Sequence, residues 1–279
     1  MSRLPYRLGL PAWAFPGWRG RYFPADRPML TSYAQVFNTV EGNTSFYRTP
    51  SEQAVDGWRD ALSASDLEIC FKLPRAVTHE RYTDPAVLHE FLEAIEPLEG
   101  HLGPLLVQFP ATIGEAELPA VEGLLEALPR ARRAVIEVRH PQLFSKPTLL
   151  EPLLDRFELG RVVLDARPIF EGDRSHPDVL RALHAKPDLP VRPAVYHGLS
   201  FVRLVLHPDL ESNAAYLSEW AERSAESIDA GHATYMMIHC PNNLHCPTLA
   251  AQFHELLRDR VSGMDNLAAW PVPQQGQLL

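Results

Sequence analysis

Cysteine is scarce. Only Cys70, Cys240 and Cys246 occur among 279 residues, too few for a disulfide framework. Cys240 and Cys246 are six positions apart, outside the gap of roughly two to four residues that zinc-binding pairs favour. Reduced thiols in a cytoplasmic protein are the expectation. No stretch approaches the roughly 18 consecutive apolar residues of a membrane helix. The opening MSRLPYRLGLPAW lacks a signal-peptide core, so no membrane association is expected. Positive charge is also short. Lys and Arg total 26 against 35 Asp and Glu, a net charge of −9. A nucleic-acid surface needs a basic footprint, so a duplex is not the expected partner. The loop GLPAWAFPGWRG is neither G-x-G-x-x-G nor a P-loop. No G-x-S-x-G elbow presents a serine nucleophile.

What is present is an abundant apolar fraction, 46% of residues, enough for a large core. Eight apolar, β-rich runs read as strands: Arg7–Trp13, Thr39–Tyr47, Glu68–Pro74, Gly103–Pro110, Arg133–His140, Arg161–Pro168, Leu199–His207 and Thr234–Pro241. Each starts 28 to 38 residues after the last, the length of one strand–helix unit, about 30 residues. The segments between them repeat at helical spacing, as in Val87, Leu88, Phe91, Leu92 and Ile95. Asp84-Pro85 and Ser51 read as helix starts. The pattern predicts an α/β protein with one (β/α)8 TIM barrel over residues 5–262, then a loose tail over 263–279. Aromatics crowd the first loop at Trp13, Phe15, Trp18, Tyr22 and Phe23. They read as packing or as a stacking wall.

The informative anomaly is charge inside apolar strands. Glu137 and Arg139 lie two apart in AVIEVRH, and Asp165 and Arg167 two apart in VVLDARP. Each pair therefore shares a strand face. Glu41, Asn43, Lys72, Gln108, Arg203, His207 and His239 sit late in other strands. Burying lone charges costs several kcal/mol, so such groups pair with one another or face a wet site. In a barrel the C-terminal strand ends form the active-site face. Glu41, Lys72, Glu137, Arg139, Asp165, Arg203 and His239 are thus expected at one mouth. Cations outnumber acids there when Arg167 is included, which favours a small polar or anionic ligand such as phosphate or carboxylate. Glu137 or Asp165 would act as general base, with Lys72 and Arg139 orienting the anion. A non-catalytic binding protein is the alternative. A metal-dependent isomerase or nucleic-acid phosphodiesterase-like enzyme is a further one, its divalent metal held by Glu137, Asp165, His239 and either His79 or His207, and not favoured beside so many cations.

Longer stretches carry a resemblance. PAWAFPGWRGRYFP, YAQVFNTVEGNTSFYRTPS, FKLPRAVTHE, LGPLLVQFP, IEVRHPQLF, VLDARP, VRLVLHPD and HCPNN run almost end to end. With them the chain resembles the YecE-like family, a group of unknown function. The resemblance implies a single barrel and names no reaction. Its polar positions here are Glu41, Asn43, Lys72, His79, Gln108, Glu137, Arg139, His140, Asp165, Arg203 and Asn243. This chain departs from it at Asn242-Asn243, where relatives carry an acid beside the asparagine.

Overall fold

The computed structural model describes residues 4–80 and 85–272. Eight strands appear at the eight expected places: β1 (Tyr6–Gly9), β2 (Thr39–Gly42), β3 (Glu68–Phe71), β4 (Leu105–Gln108), β5 (Ala134–Glu137), β6 (Gly160–Asp165), β7 (Leu199–Val205) and β8 (Ala233–His239). Several are shorter than expected. β1 stops before Pro11, which has no N–H for a ladder. β2 stops where Asn43–Phe46 tightens into a 3-10 turn. The helices used below are α1 (Met29–Tyr33), α2 (Glu52–Leu62), α3 (Pro85–Ile95), α4 (Leu118–Ala127), α5 (Pro141–Ser145), α6 (Glu151–Phe157), α7 (Arg167–Glu171), α8 (Pro177–Leu183), α9 (Ala214–Asp229) and α10 (Cys246–Arg258). Ser51 caps α2, its Oγ accepting from Ala54 N at 3.3 Å. The expected cap of α3, Asp84, lies outside the described residues.

The strand pairs are parallel. Six form one sheet in the order β1-β8-β7-β6-β5-β4, and β2 and β3 form a separate pair. Isolated backbone contacts cross both gaps. Glu41 N donates to Leu10 O at 3.1 Å, and Leu73 N donates to Leu106 O at 3.0 Å. Gly9 sits at the first gap. A Cβ there would lie 2.4 Å from the carbonyl oxygen of Thr39, so any side chain would push β1 and β2 apart.

Two apolar layers flank the strands. The larger one packs them against the helices. A separate one, with Cys70, Leu106, Val135, Phe201 and Met237, covers the opposite strand faces. The first-loop aromatics are packing: Trp18, Tyr22 and Phe23 are buried. Trp270, in the stretch expected to be loose, packs edge-on against Tyr22 with centroids 5.1 Å apart and against Phe23 at 6.2 Å. Residues 273–279 of that tail lie outside the described residues.

Candidate functional site: a cationic cleft at the strand ends

Alternation along each strand builds the site. Val135, Phe201 and Met237 belong to the separate apolar layer. Two residues further on the same faces come Glu137, Arg203 and His239. Arg203 is the centre. Its Nε donates to Glu41 Oε1 at 2.7 Å, its Nη2 to Glu41 Oε2 at 2.9 Å, and its Nη1 to Glu137 Oε2. Glu41 is 0% exposed, Glu137 1% and Arg203 3%. Asn43 Nδ2 donates to Glu41 Oε2 at 2.9 Å, and His239 Nε2 lies 2.9 Å from Glu41 Oε1. Arg139 donates from Nε to Glu137 Oε1 at 2.8 Å, and from Nη2 to Gln108 Oε1 at 3.0 Å.

These contacts fix the protonation states. Burial pushes the Glu137 carboxyl up, but Arg203 and Arg139 outweigh it and hold the group well below the usual range. Burial pushes Glu41 up too, but Arg203 outweighs it and His239 adds a hydrogen bond, so the group is likewise held down. Burial lowers His239 to about 4 despite Glu41 beside it, so it is a neutral donor to Glu41 at pH 7. Both carboxylates are therefore ionised with each oxygen held by a donor, which makes Glu137 a weak base.

Above them lies a cavity of about 410 Å³, bounded by Lys72, Lys186, Arg139, Arg203, His79 and Phe46. Lys72 is 8% exposed. Its Nζ lies 3.5 Å from the Phe46 ring centroid. Burial lowers it to about 7; Glu137 raises it, and Arg203 and Arg139 lower it further. Lys186 is lowered to about 8, first by burial and then by Arg203. Neither ammonium has a hydrogen-bonded acceptor among the described residues. His79 stands on a single π-helical turn, Ala76–Glu80, an element that recurs at functional sites. Burial and the charge of Lys72 lower it to about 4. Tyr47, 81% exposed, forms part of the rim. Among the described residues, no group of three or more His, Cys, Asp or Glu is placed to hold a metal ion.

Five expected residues lie elsewhere. Asp165 is on the outward face of β6, beside Val163 of the larger core. It accepts from Arg167 Nη2 at 2.7 Å and from Trp220 Nε1 at 2.7 Å, tying α7 and α9 to the strand. Arg167 and Asp165 thus leave the cleft together as a structural pair, and Asp165 is no general base. His140 caps α5, its Nδ1 accepting from Gln142 N at 3.2 Å. Asn243 serves a turn at φ 58°, with its carbonyl accepting from Trp18 Nε1 at 2.9 Å. His207 contacts Asn213 and Asp173 away from the cleft. An Asp165→Ala protein should lose about 2–4 kcal/mol of stability and keep the ligand affinity of the cleft. A weakened affinity with unchanged stability would contradict this placement.

Lys186 and Phe46 were not anticipated. Lys186 lies in the irregular stretch after α8, where no period marks it. One compositional signal does mark it. Only Lys72, Lys146 and Lys186 are lysines among the 26 basic residues, and two of the three bound this cavity.

A family model for DUF72, a protein family of unknown function, matches residues 7–275. The chain belongs to the DUF72 family. It is 33% identical to the UPF0759 protein YecE of Escherichia coli K12 over 282 aligned positions, covering 97% of this chain and 98% of that one. A DUF72 protein from Thermotoga maritima superposes with a TM-score of 0.67 at 21% identity, covering 90% of this chain and 98% of that one. One from Enterococcus faecalis V583 gives 0.67 at 19%, covering 91% and 98%. These likenesses establish the DUF72 fold: an α/β architecture with a mostly parallel central sheet of six strands. No helix among the described residues is long and apolar enough to cross a membrane.

Proposed function

We propose that this DUF72 protein binds a small anion, a carboxylate or phosphate of a polar metabolite, in the cleft at the C-terminal strand ends. One observation carries the reading. Lys72, Lys186, Arg139 and Arg203 surround one cavity over two carboxylates, and neither ammonium group has an acceptor among the described residues. A bound anion would supply the missing partner. The reading takes the eight strands as a closed ring, supported by the backbone bonds that bridge both gaps. A barrel presents its C-terminal strand ends as a pocket. The net charge of −9 with cations confined to the mouth favours a small ligand over a duplex. All three cysteines are buried and unpaired, and burial raises Cys240 to about 12. Reduced thiols of this kind suit a cytoplasmic setting.

Inorganic phosphate is the simplest probe. At ten times its Kd it should add about 1.4 kcal/mol of stability, about 2–3 °C in Tm for a chain of this size. Lys72→Met and Lys186→Met should each weaken binding about tenfold. Lys146→Met should not, because Lys146 is exposed and pairs with Glu115. An unchanged Tm in phosphate, or equal responses from all three variants, would overturn the reading.

A further inference from the structure

We propose that Lys72 is an amine nucleophile, whose Nζ adds to the carbonyl carbon of a small anionic aldehyde or oxo acid held in the cleft and forms an imine. This rests on the anion-binding reading and names the class of compound that reading would admit.

The choice of residue is the first support. Among 26 basic residues only three are lysine. The other 23 are arginine, which has no lone pair to offer at any ordinary pH. Lysine occurs at the cavity twice. An anion could be held by guanidinium groups alone, as Arg139 and Arg203 already show by holding Glu137. What lysine adds is the ability to lose its proton and attack.

Position is the second support. Lys72 follows β3 directly and its backbone N–H donates to Gly42 O at 3.3 Å, so its root is fixed by two strands. The Phe46 ring fixes the direction of the chain from one side. Among the described residues no carboxylate forms an ion pair with its Nζ, so the Phe46 ring and the more distant Glu137 are what favour the charged form. Burial and the guanidinium groups of Arg203 and Arg139 leave a large fraction of the side chain as free amine at neutral pH. Lys186 stands at the same cavity from an irregular segment and keeps more of its charge, which suits it to hold the ligand's carboxylate or phosphate.

The step balances without an external oxidant or reductant. The Nζ lone pair forms the C–N bond while the carbonyl π pair moves to oxygen. That oxygen takes a proton and the nitrogen loses one, giving a carbinolamine. A second protonation expels the oxygen as water, and the nitrogen lone pair closes the C=N bond. Lys186 can donate a proton. His79, neutral at pH 7 with Nδ1 2.8 Å from Thr78 Oγ1, can accept one.

The test uses glyoxylate, a two-carbon anionic aldehyde, with sodium cyanoborohydride at pH 7. Reduction of the imine would leave an Nε-carboxymethyl group, located by peptide mass spectrometry. Lys72 should be labelled at least about tenfold faster than exposed Lys146, and phosphate should slow that labelling. Lys72→Arg should lose the adduct, whereas Lys146→Arg, far from the cleft and paired with Glu115, should keep both the adduct and the Tm response to phosphate. A wild-type protein that responds to phosphate but labels Lys72 no faster than Lys146 would overturn the imine and leave the anion reading standing. Preferred labelling of Lys186 would overturn the assignment to Lys72. If neither phosphate nor glyoxylate affects the protein, the anion reading falls and the inference falls with it.

Discussion

Replacing Arg203 with methionine should destabilise the protein by about 3–5 kcal/mol, the usual cost of removing one partner from a buried ion cluster. Every donor-bearing nitrogen of that guanidinium faces a carboxylate. Glu137 keeps Arg139 when Arg203 is lost. Glu41 keeps only Asn43 and a neutral His239, with no cation in contact and no exposure to water. It should therefore bind a proton, its folded pKa moving from below to above the unfolded value. Such a group stabilises at low pH and loses that contribution as pH rises through its folded pKa. The variant should thus gain stability when acidified from pH 8 towards pH 5. Adding Glu41→Gln should recover much of the loss at pH 7, because the amide leaves no buried charge. Urea unfolding of the three proteins decides the matter. A loss below about 1 kcal/mol for Arg203→Met would mean that water reaches the cluster.

Raising the pH from 7 to about 9.5 should stabilise the empty protein while loosening its hold on phosphate. Lys72 falls from an ordinary 10.5 to about 7 in the fold, and Lys186 to about 8. Between those values the unfolded chain binds more protons than the folded one, so stability rises with pH. Over this pH range Lys72 alone sets an upper bound of about 3 kcal/mol at 1.36 kcal/mol per unit. Water at the mouth reduces this, and about 2–3 kcal/mol is the expected gain. Phosphate affinity should move the opposite way, because the bound anion needs the ammonium that the empty cleft disfavours. Binding at pH 8 should take up protons, visible as a calorimetric heat that changes with the buffer. Lys72→Met should flatten both slopes together. A stability slope that persists unchanged in that variant would assign the titration to other groups.

The architecture was legible because buried parallel strands are short apolar runs, and these recur at unit length between helical patterns. The charged cleft was legible for a related reason. Glu41, Glu137 and Arg203 are costly in such runs, so their presence marks a shared destination. Facing was harder to read. Asp165 follows Val162, Val163 and Leu164, and a run apolar on both faces gives no parity. Its outward position depends on Trp220 and Arg167, partners that no local pattern reveals. His140 and Asn243 carry polar groups that turns and caps use as readily as ligands do. Lys186 lies where the chain has no regular structure, and only its rarity as a lysine singles it out.

The pairing of β1 with β8 has a consequence for biosynthesis. Tyr6 meets Thr234 and Gly9 meets Met237, so the first strand made waits for nearly the last. Glu41 waits in the same way for Arg203, 162 positions downstream. While the chain is on the ribosome, its early acids must stay hydrated and its first strand must keep an open edge. A nascent chain stopped before β8 carries both an aggregation-prone strand and unpaired charge. The late residues that complete the cleft therefore arrive together with the strand that covers this open edge.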